Sequence, residues 1–266
     1  LRGPAGHTDQ IGEKFVDALT KAENLTLHRN LPGSGLMPSV AAFGFTEEEE
    51  QRVNSRITDF YTRTVDYDFE VWSVWSPAFR WIGHLLSGLF SKRLRQLNLP
   101  LNPIEASRGI SSHILQLKDM AGTVRYTIWY RILRSTGRVV YSGIYSTIPL
   151  PDGGARHVKV VFPLPNGNAT VIMQRQVLPD GSLKLVSAGK KAGDSGFYFT
   201  ITDKQGRFWI KFVRPVRETI HVFEEAGELR TDHELHFYGL PVFKLHYKIF
   251  ERQRTPVAGE AGHLPY

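Results

Sequence analysis

From about residue 111 onward, apolar and polar positions alternate with a period of two, the repeat of a strand whose successive side chains point to opposite faces. Valine, isoleucine and aromatic residues hold the apolar positions, and turn signals interrupt them at short intervals. These signals are Ser135-Thr136-Gly137, Pro151-Asp152-Gly153-Gly154, Pro165-Asn166-Gly167-Asn168, Pro179-Asp180-Gly181, Gln205-Gly206 and Ala226-Gly227. Each supplies Gly, Asn or Pro where a tight connection needs special dihedrals, so about ten strands in an antiparallel meander are expected over 111–250. A meander this long curls up or splits, because an open twisted sheet leaves unpaired edges. The expected fold is therefore α+β and mostly antiparallel β, with N-terminal helices packed on a long meander that forms a barrel or deep cup. A two-sheet sandwich is the alternative.

Ahead of the meander the period is helical. A short helix is predicted over Ile11 to Lys21, followed by a Pro/Gly-rich stretch over 30–38, so that 1–45 is expected to form an arm. Thr46 and Glu49 have the spacing of a capping box, and Val53, Ile57, Phe60 and Tyr61 fall on one face of a helix predicted over 47–65. Ser76 and Pro77 suit the start of another helix, in which Phe79, Ile82, Leu85, Leu86, Leu89 and Phe90 keep helical spacing. That helix, over 77–97, is unusually apolar, with Lys92, Arg93 and Arg95 near its end to complement the helix dipole. It is expected to lie buried against the sheet, or else to touch lipid or gate a hydrophobic pocket. A single domain over 46–252 and a flexible tail over 253–266 complete the expected organisation.

Composition narrows the function classes. With 41% hydrophobic and 22% charged residues in 266, the chain falls in the ordinary globular range. The formal charge of +7 is mostly spread among strand-like positions, apart from Lys92, Arg93 and Arg95 and the pair Lys190 and Lys191, which argues against nucleic acid as a partner. Cysteine is absent, which excludes disulfides, thiolate metal sites and a cysteine nucleophile, and agrees with a cytoplasmic location. No uninterrupted apolar run approaches the roughly 20 residues that cross a bilayer as a helix. No phosphate-binding loop, dinucleotide fingerprint or GxSxG elbow occurs, so no cofactor is expected.

Candidate chemistry comes from strand register. One face of 216–223 holds Val216, Glu218, Ile220 and Val222, and one face of 229–237 holds Leu229, Thr231, His233, Leu235 and Phe237. A turn centred on Ala226-Gly227 pairs Glu218 with Leu235 and Ile220 with His233, bringing those two apolar faces to the same side. A three-residue loop at Gly239-Leu240-Pro241 would then pair Phe237 with Phe243, Leu235 with Leu245 and His233 with Tyr247. Glu218 and His233 become diagonal neighbours roughly 7 to 8 Å apart at the backbone, with Tyr247 opposite the histidine. These three proton-exchanging groups on one apolar wall are the candidate catalytic residues. A buried polar cluster that merely satisfies itself is the competing reading.

Tyr126, Tyr130, Tyr141 and Tyr145, with Leu235 and Phe237, are the candidate ligand-lining residues, while Arg131 and Trp129 have the opposite parity and are expected outside. The odd spacing of His233 and His236 sends them to opposite faces of a strand, so no metal site is expected there. Gly193-Asp194-Ser195-Gly196 resembles the nucleophile motif of trypsin-like serine proteases over four residues, which would imply a Ser/His/Asp triad on two β-barrels. Phe197 replaces the small residue usual after that motif, and the string serves equally as a turn.

The expectation is a protein that binds a hydrophobic small molecule such as a lipid, polyketide or terpenoid, with cofactor-free isomerisation or cyclisation as its accompanying chemistry. Whether it is an enzyme is left open. The alternative is a peripheral membrane or protein-interaction scaffold that uses the helix over 77–97.

Overall fold

A computed structural model of the chain describes residues 3–4, 13–76, 110–134, 137, 139–149, 156–164 and 166–252. The apolar helix expected over 77–97 and the tail expected over 253–266 lie outside the described residues. The architecture is mostly antiparallel β with few helices, as the alternation predicts.

Helix α1 (Glu13–Glu23) buries Phe15, Val16 and Leu19 against Leu115, Leu117, Ile128 and Tyr130. Strand β1 (Thr26–Arg29) follows and pairs with β3 (Ile110–Lys118), so the segment expected to be an arm contributes both a covering helix and an edge strand. Helix α2 (Glu47–Arg52) opens with the expected capping box: the Thr46 hydroxyl accepts from the Glu49 amide at 3.2 Å, and the Glu49 carboxylate accepts from the Thr46 amide at 2.9 Å.

The single helix expected over 47–65 is two. Asn54 stops the first and caps α3 (Ser55–Thr62), its side-chain oxygen accepting from the Arg56 amide, while its own amide donates to Gly181. Asparagine prefers such a cap to a helix interior. A tight turn over Thr64–Asp66 then leads into β2 (Tyr67–Trp75), a strand whose period-two pattern stands in the sequence between the two helical stretches.

The remaining strands are β4 (Val124–Leu133), β5 (Val139–Ile148), β6 (His157–Leu164), β7 (Gly167–Val177), β8 (Leu183–Val186), β9 (Gly196–Thr202), β10 (Phe208–Phe212), β11 (Val216–Glu225), β12 (Glu228–Phe237) and β13 (Leu240–Glu251). They pair in the order β1-β3-β4-β5-β6-β7-β8-β11-β12-β13-β2, and no ladder joins the two outer strands among the described residues. Strand β7 branches the sheet: its first half pairs with β9 and its second half with β8. Gly167 permits the close approach, since a Cβ there would lie 2.0 Å from the Thr200 carbonyl oxygen.

One core joins faces from both ends of this path. It includes Ile114 of β3, Val160 of β6, Val171 of β7, Leu185 of β8, Val222 of β11, Leu229 of β12, Ile249 of β13 and Phe69 of β2, with Phe43, Ile57 and Phe60 from the helical segment. A second core lies on the other side of β3 to β5, beneath α1. Strand β4 is consequently covered on both faces, and this corrects the expectation for Arg131, which is only 4% exposed. Parity separates the two faces of a strand but does not say that one of them is open to water.

Candidate functional site

The hairpin of β11 and β12 has the expected register, with Glu218 opposite Leu235 and Ile220 opposite His233. Ser187 pins the start of β11: its hydroxyl accepts from the Glu218 amide at 2.8 Å, and its amide donates to the Glu218 carbonyl at 2.9 Å. The diagonal placement lets the side chains meet, and His233 Nε2 lies 2.5 Å from Glu218 Oε1. Their side chains are 16% and 15% exposed, respectively. The Phe243 ring sits 6.2 Å from the imidazole.

The next connection departs from expectation. Tyr238 and Gly239 have φ of 50° and 80°, the positive pair that a two-residue hairpin turn of primed type uses, and Phe237 pairs directly with Leu240. A bulge between Leu235 and His236 then sets Leu235 opposite Phe243, His233 opposite Leu245 and Thr231 opposite Tyr247. Pro241, which has no amide hydrogen, lies at this irregularity. Tyr247 keeps the expected face but lies diagonal to His233 instead of opposite it.

There Tyr247 meets Arg131, whose Nη1 donates to the phenolic oxygen at 3.5 Å. The guanidinium carbon lies 4.8 Å from the Trp129 ring centre, 5.0 Å from that of Tyr247 and 5.5 Å from that of Phe69. Trp129 donates its indole N–H to Ser112 at 2.7 Å, and Ser112 stands opposite Arg131 in the β3–β4 ladder. Sequence reasoning missed Arg131. The available signal was Trp129 and Leu133 flanking it on its own parity while Ile128, Tyr130 and Ile132 were apolar on the other, the pattern of a strand buried on both sides.

The structure divides the candidate lining residues. Tyr145 faces the main core with its ring 5.9 Å from Trp129. Tyr126 and Tyr130 lie on the opposite face of β4, toward α1, so the four tyrosines do not share one interior. The Tyr126 hydroxyl donates to Glu23, and partial burial together with that carboxylate pushes its pKa up to about 12. Tyr141 pairs opposite Arg131 in the β4–β5 ladder. Leu235 is half-buried beside the Glu218–His233 pair, whereas Phe237 is exposed at the hairpin end against Tyr238.

On the other face of β12 and β13, charged groups pair with one another. Asp232 accepts from Lys244 at 2.9 Å and from His246 at 2.7 Å. Although partial burial acts to raise it, those hydrogen bonds hold the Asp232 carboxyl below its ordinary range. The protease-like string is a turn: the Asp194 carboxylate accepts from the Lys190 and Lys191 amides, and Tyr198 donates to the Asp194 carbonyl at 2.5 Å. Among the described residues no group of three or more His, Asp or Glu is arranged to hold a metal ion.

No family model matches the chain, and no solved structure matches it. The chain is 26% identical over 250 residues to the uncharacterized membrane protein YndJ of Bacillus subtilis (strain 168). The alignment covers 90% of this chain and 41% of that protein, so the chain spans about two fifths of the length of the relative it matches. Among the described residues no helix is long and apolar enough to cross a membrane.

Proposed function

We propose that the chain binds a hydrophobic small molecule of lipid, polyketide or terpenoid type between its facing β surfaces, and that these curve into a barrel or deep cup around it. The observation that carries this reading is the 2.5 Å Glu218–His233 contact on a face that also holds Ile220, Val222, Leu229 and Ile249 of the main core. A proton-sharing pair beside apolar walls suits cofactor-free isomerisation: the base takes a proton from one carbon of a bound polyene, and the conjugate acid returns a proton at another. Convergence of strands from both ends of the sheet path on one core supports the cup. The lack of cysteine supports a reducing, cytoplasmic setting.

Native mass spectrometry followed by organic extraction tests the proposal. A retained apolar molecule in stoichiometric amount is the expected result. A chain that carries nothing and also fails to take up an apolar fluorescent probe contradicts it.

A second reading, contact with a membrane surface, draws on a different observation. Phe199, Ile201 and Trp209 share one face of the β9–β10 hairpin, all exposed, with Lys211 beside them. Aromatic and basic side chains together suit an anionic lipid interface, and the relative's name points the same way. Flotation with phosphatidylglycerol vesicles is expected to carry the wild-type chain upward and to leave a Trp209→Ser, Ile201→Ser variant behind. Equal flotation of the two, or none of either, rejects this reading.

A further inference from the structure

We propose that Arg131 anchors a buried carboxylate site and that the hydrophobic ligand is therefore an amphipathic carboxylate. This inference rests on the ligand-binding reading above and specifies the ligand's polar end.

Arg131 is 4% exposed, yet neither its Nε nor its Nη2 has a hydrogen-bond partner among the described residues. Nη1 is engaged, at 3.5 Å from the Tyr247 hydroxyl. A guanidinium removed from water without an acceptor is unfavourable, so such a group normally sits against a carboxylate or a set of carbonyls. The two open nitrogens are not an arbitrary pair. Nε and Nη2 lie along one edge of the planar guanidinium, and their N–H bonds run parallel, the fork that receives both oxygens of a carboxylate.

The surroundings hold that fork in place. Trp129, Tyr247 and Phe69 surround the guanidinium with ring centres at 4.8 to 5.5 Å, which stabilises the cation and restricts its rotation. Ser112 fixes the Trp129 indole from the neighbouring strand. The same rings are apolar walls, so an acceptor that reaches Arg131 brings an apolar body with it. Tyr247 also lies diagonal to His233, which puts the anchored end of such a ligand one strand away from the Glu218–His233 pair.

Calorimetric titration of the delipidated full chain with dodecanoate below its micellar concentration, and with dodecanol and methyl dodecanoate below their solubility limits, tests the inference. Dodecanoate is expected to bind about ten- to hundredfold more tightly than the other two, the worth of a charge-assisted bidentate contact. Arg131→Met is expected to abolish that preference while still binding all three. Arg131→Lys, which keeps the charge but loses the fork, is expected to reduce it and serves if the methionine variant does not fold. Equal affinity of the wild type for all three molecules overturns the carboxylate site and leaves the hydrophobic-ligand reading standing. Failure to bind any of them overturns both.

Discussion

Arg131 and Arg175 are both buried, at 4% and 6% exposure, and their surroundings are opposite. Arg175 projects from β7 toward the segment before α2, where its Nε donates to the Phe43 carbonyl at 2.8 Å and its Nη2 to the Gly44 carbonyl. Glu49 lies 3.0 Å from Nη2 and accepts from Nη1 at 3.1 Å, and the Phe45 ring lies beneath the guanidinium. Every nitrogen is matched within the chain, so folding alone accounts for this arginine. Arg131 has the aromatic enclosure, but among the described residues its Nε and Nη2 have no acceptor. A buried cation whose hydrogen bonds are complete is part of the scaffold, whereas one with an open edge calls for a partner that the fold does not supply.

The largest expected effect lies on the scaffold side. Arg175→Met strands the Glu49 carboxylate and two carbonyls, and should lower stability by about 3 to 5 kcal/mol in urea denaturation. A loss under about 1 kcal/mol would show that the clamp contributes little.

On the ligand side, Glu218→Gln or His233→Gln should slow deuterium uptake into the allylic positions of a bound unsaturated carboxylate by about a hundredfold. Dodecanoate affinity should change little in either variant, because both keep Arg131. Unchanged exchange would make the pair structural.

Thr46→Ala should cost about 1 kcal/mol through loss of the helix cap. Glu49 serves both the cap and Arg175, so this loss should shrink when Arg175→Met is already present.

The smallest effect concerns His221, on the outer face of β11. Burial and Lys184 hold its pKa below 6.5, against the opposing pull of Asp180, Asp232 and Glu234. The unfolded chain therefore binds the proton first as pH falls, so stability contributed above about 6.5 declines on acidification below it. His221→Gln should flatten the stability profile there. An unaltered slope would assign the pH dependence to other groups.

The legible and illegible parts of the site differ for physical reasons. The β11–β12 register followed from the sequence because two apolar faces and a Gly turn agree on one alignment. The β12–β13 register came out two residues away, since Tyr238 accepts a left-handed backbone that period-two reasoning assigns to Gly, Asn or Asp. That shift kept Tyr247 on its face and changed its neighbour. The capping box at Thr46 was legible because its two hydrogen bonds are local. Arg131 was not, because the rings that enclose it from other strands, Phe69 of β2 and Tyr247 of β13, are distant from it in the chain.

The difference between the two arginines is tested most directly by urea denaturation of the delipidated Arg131→Met variant beside the wild type. Removing a buried cation that lacks acceptors for Nε and Nη2 among the described residues should leave the midpoint unchanged or raise it, with no loss beyond about 0.5 kcal/mol. A loss of about 3 kcal/mol or more, equal to that expected for Arg175→Met, would mean that Arg131 is already paired within the fold, and would contradict the account.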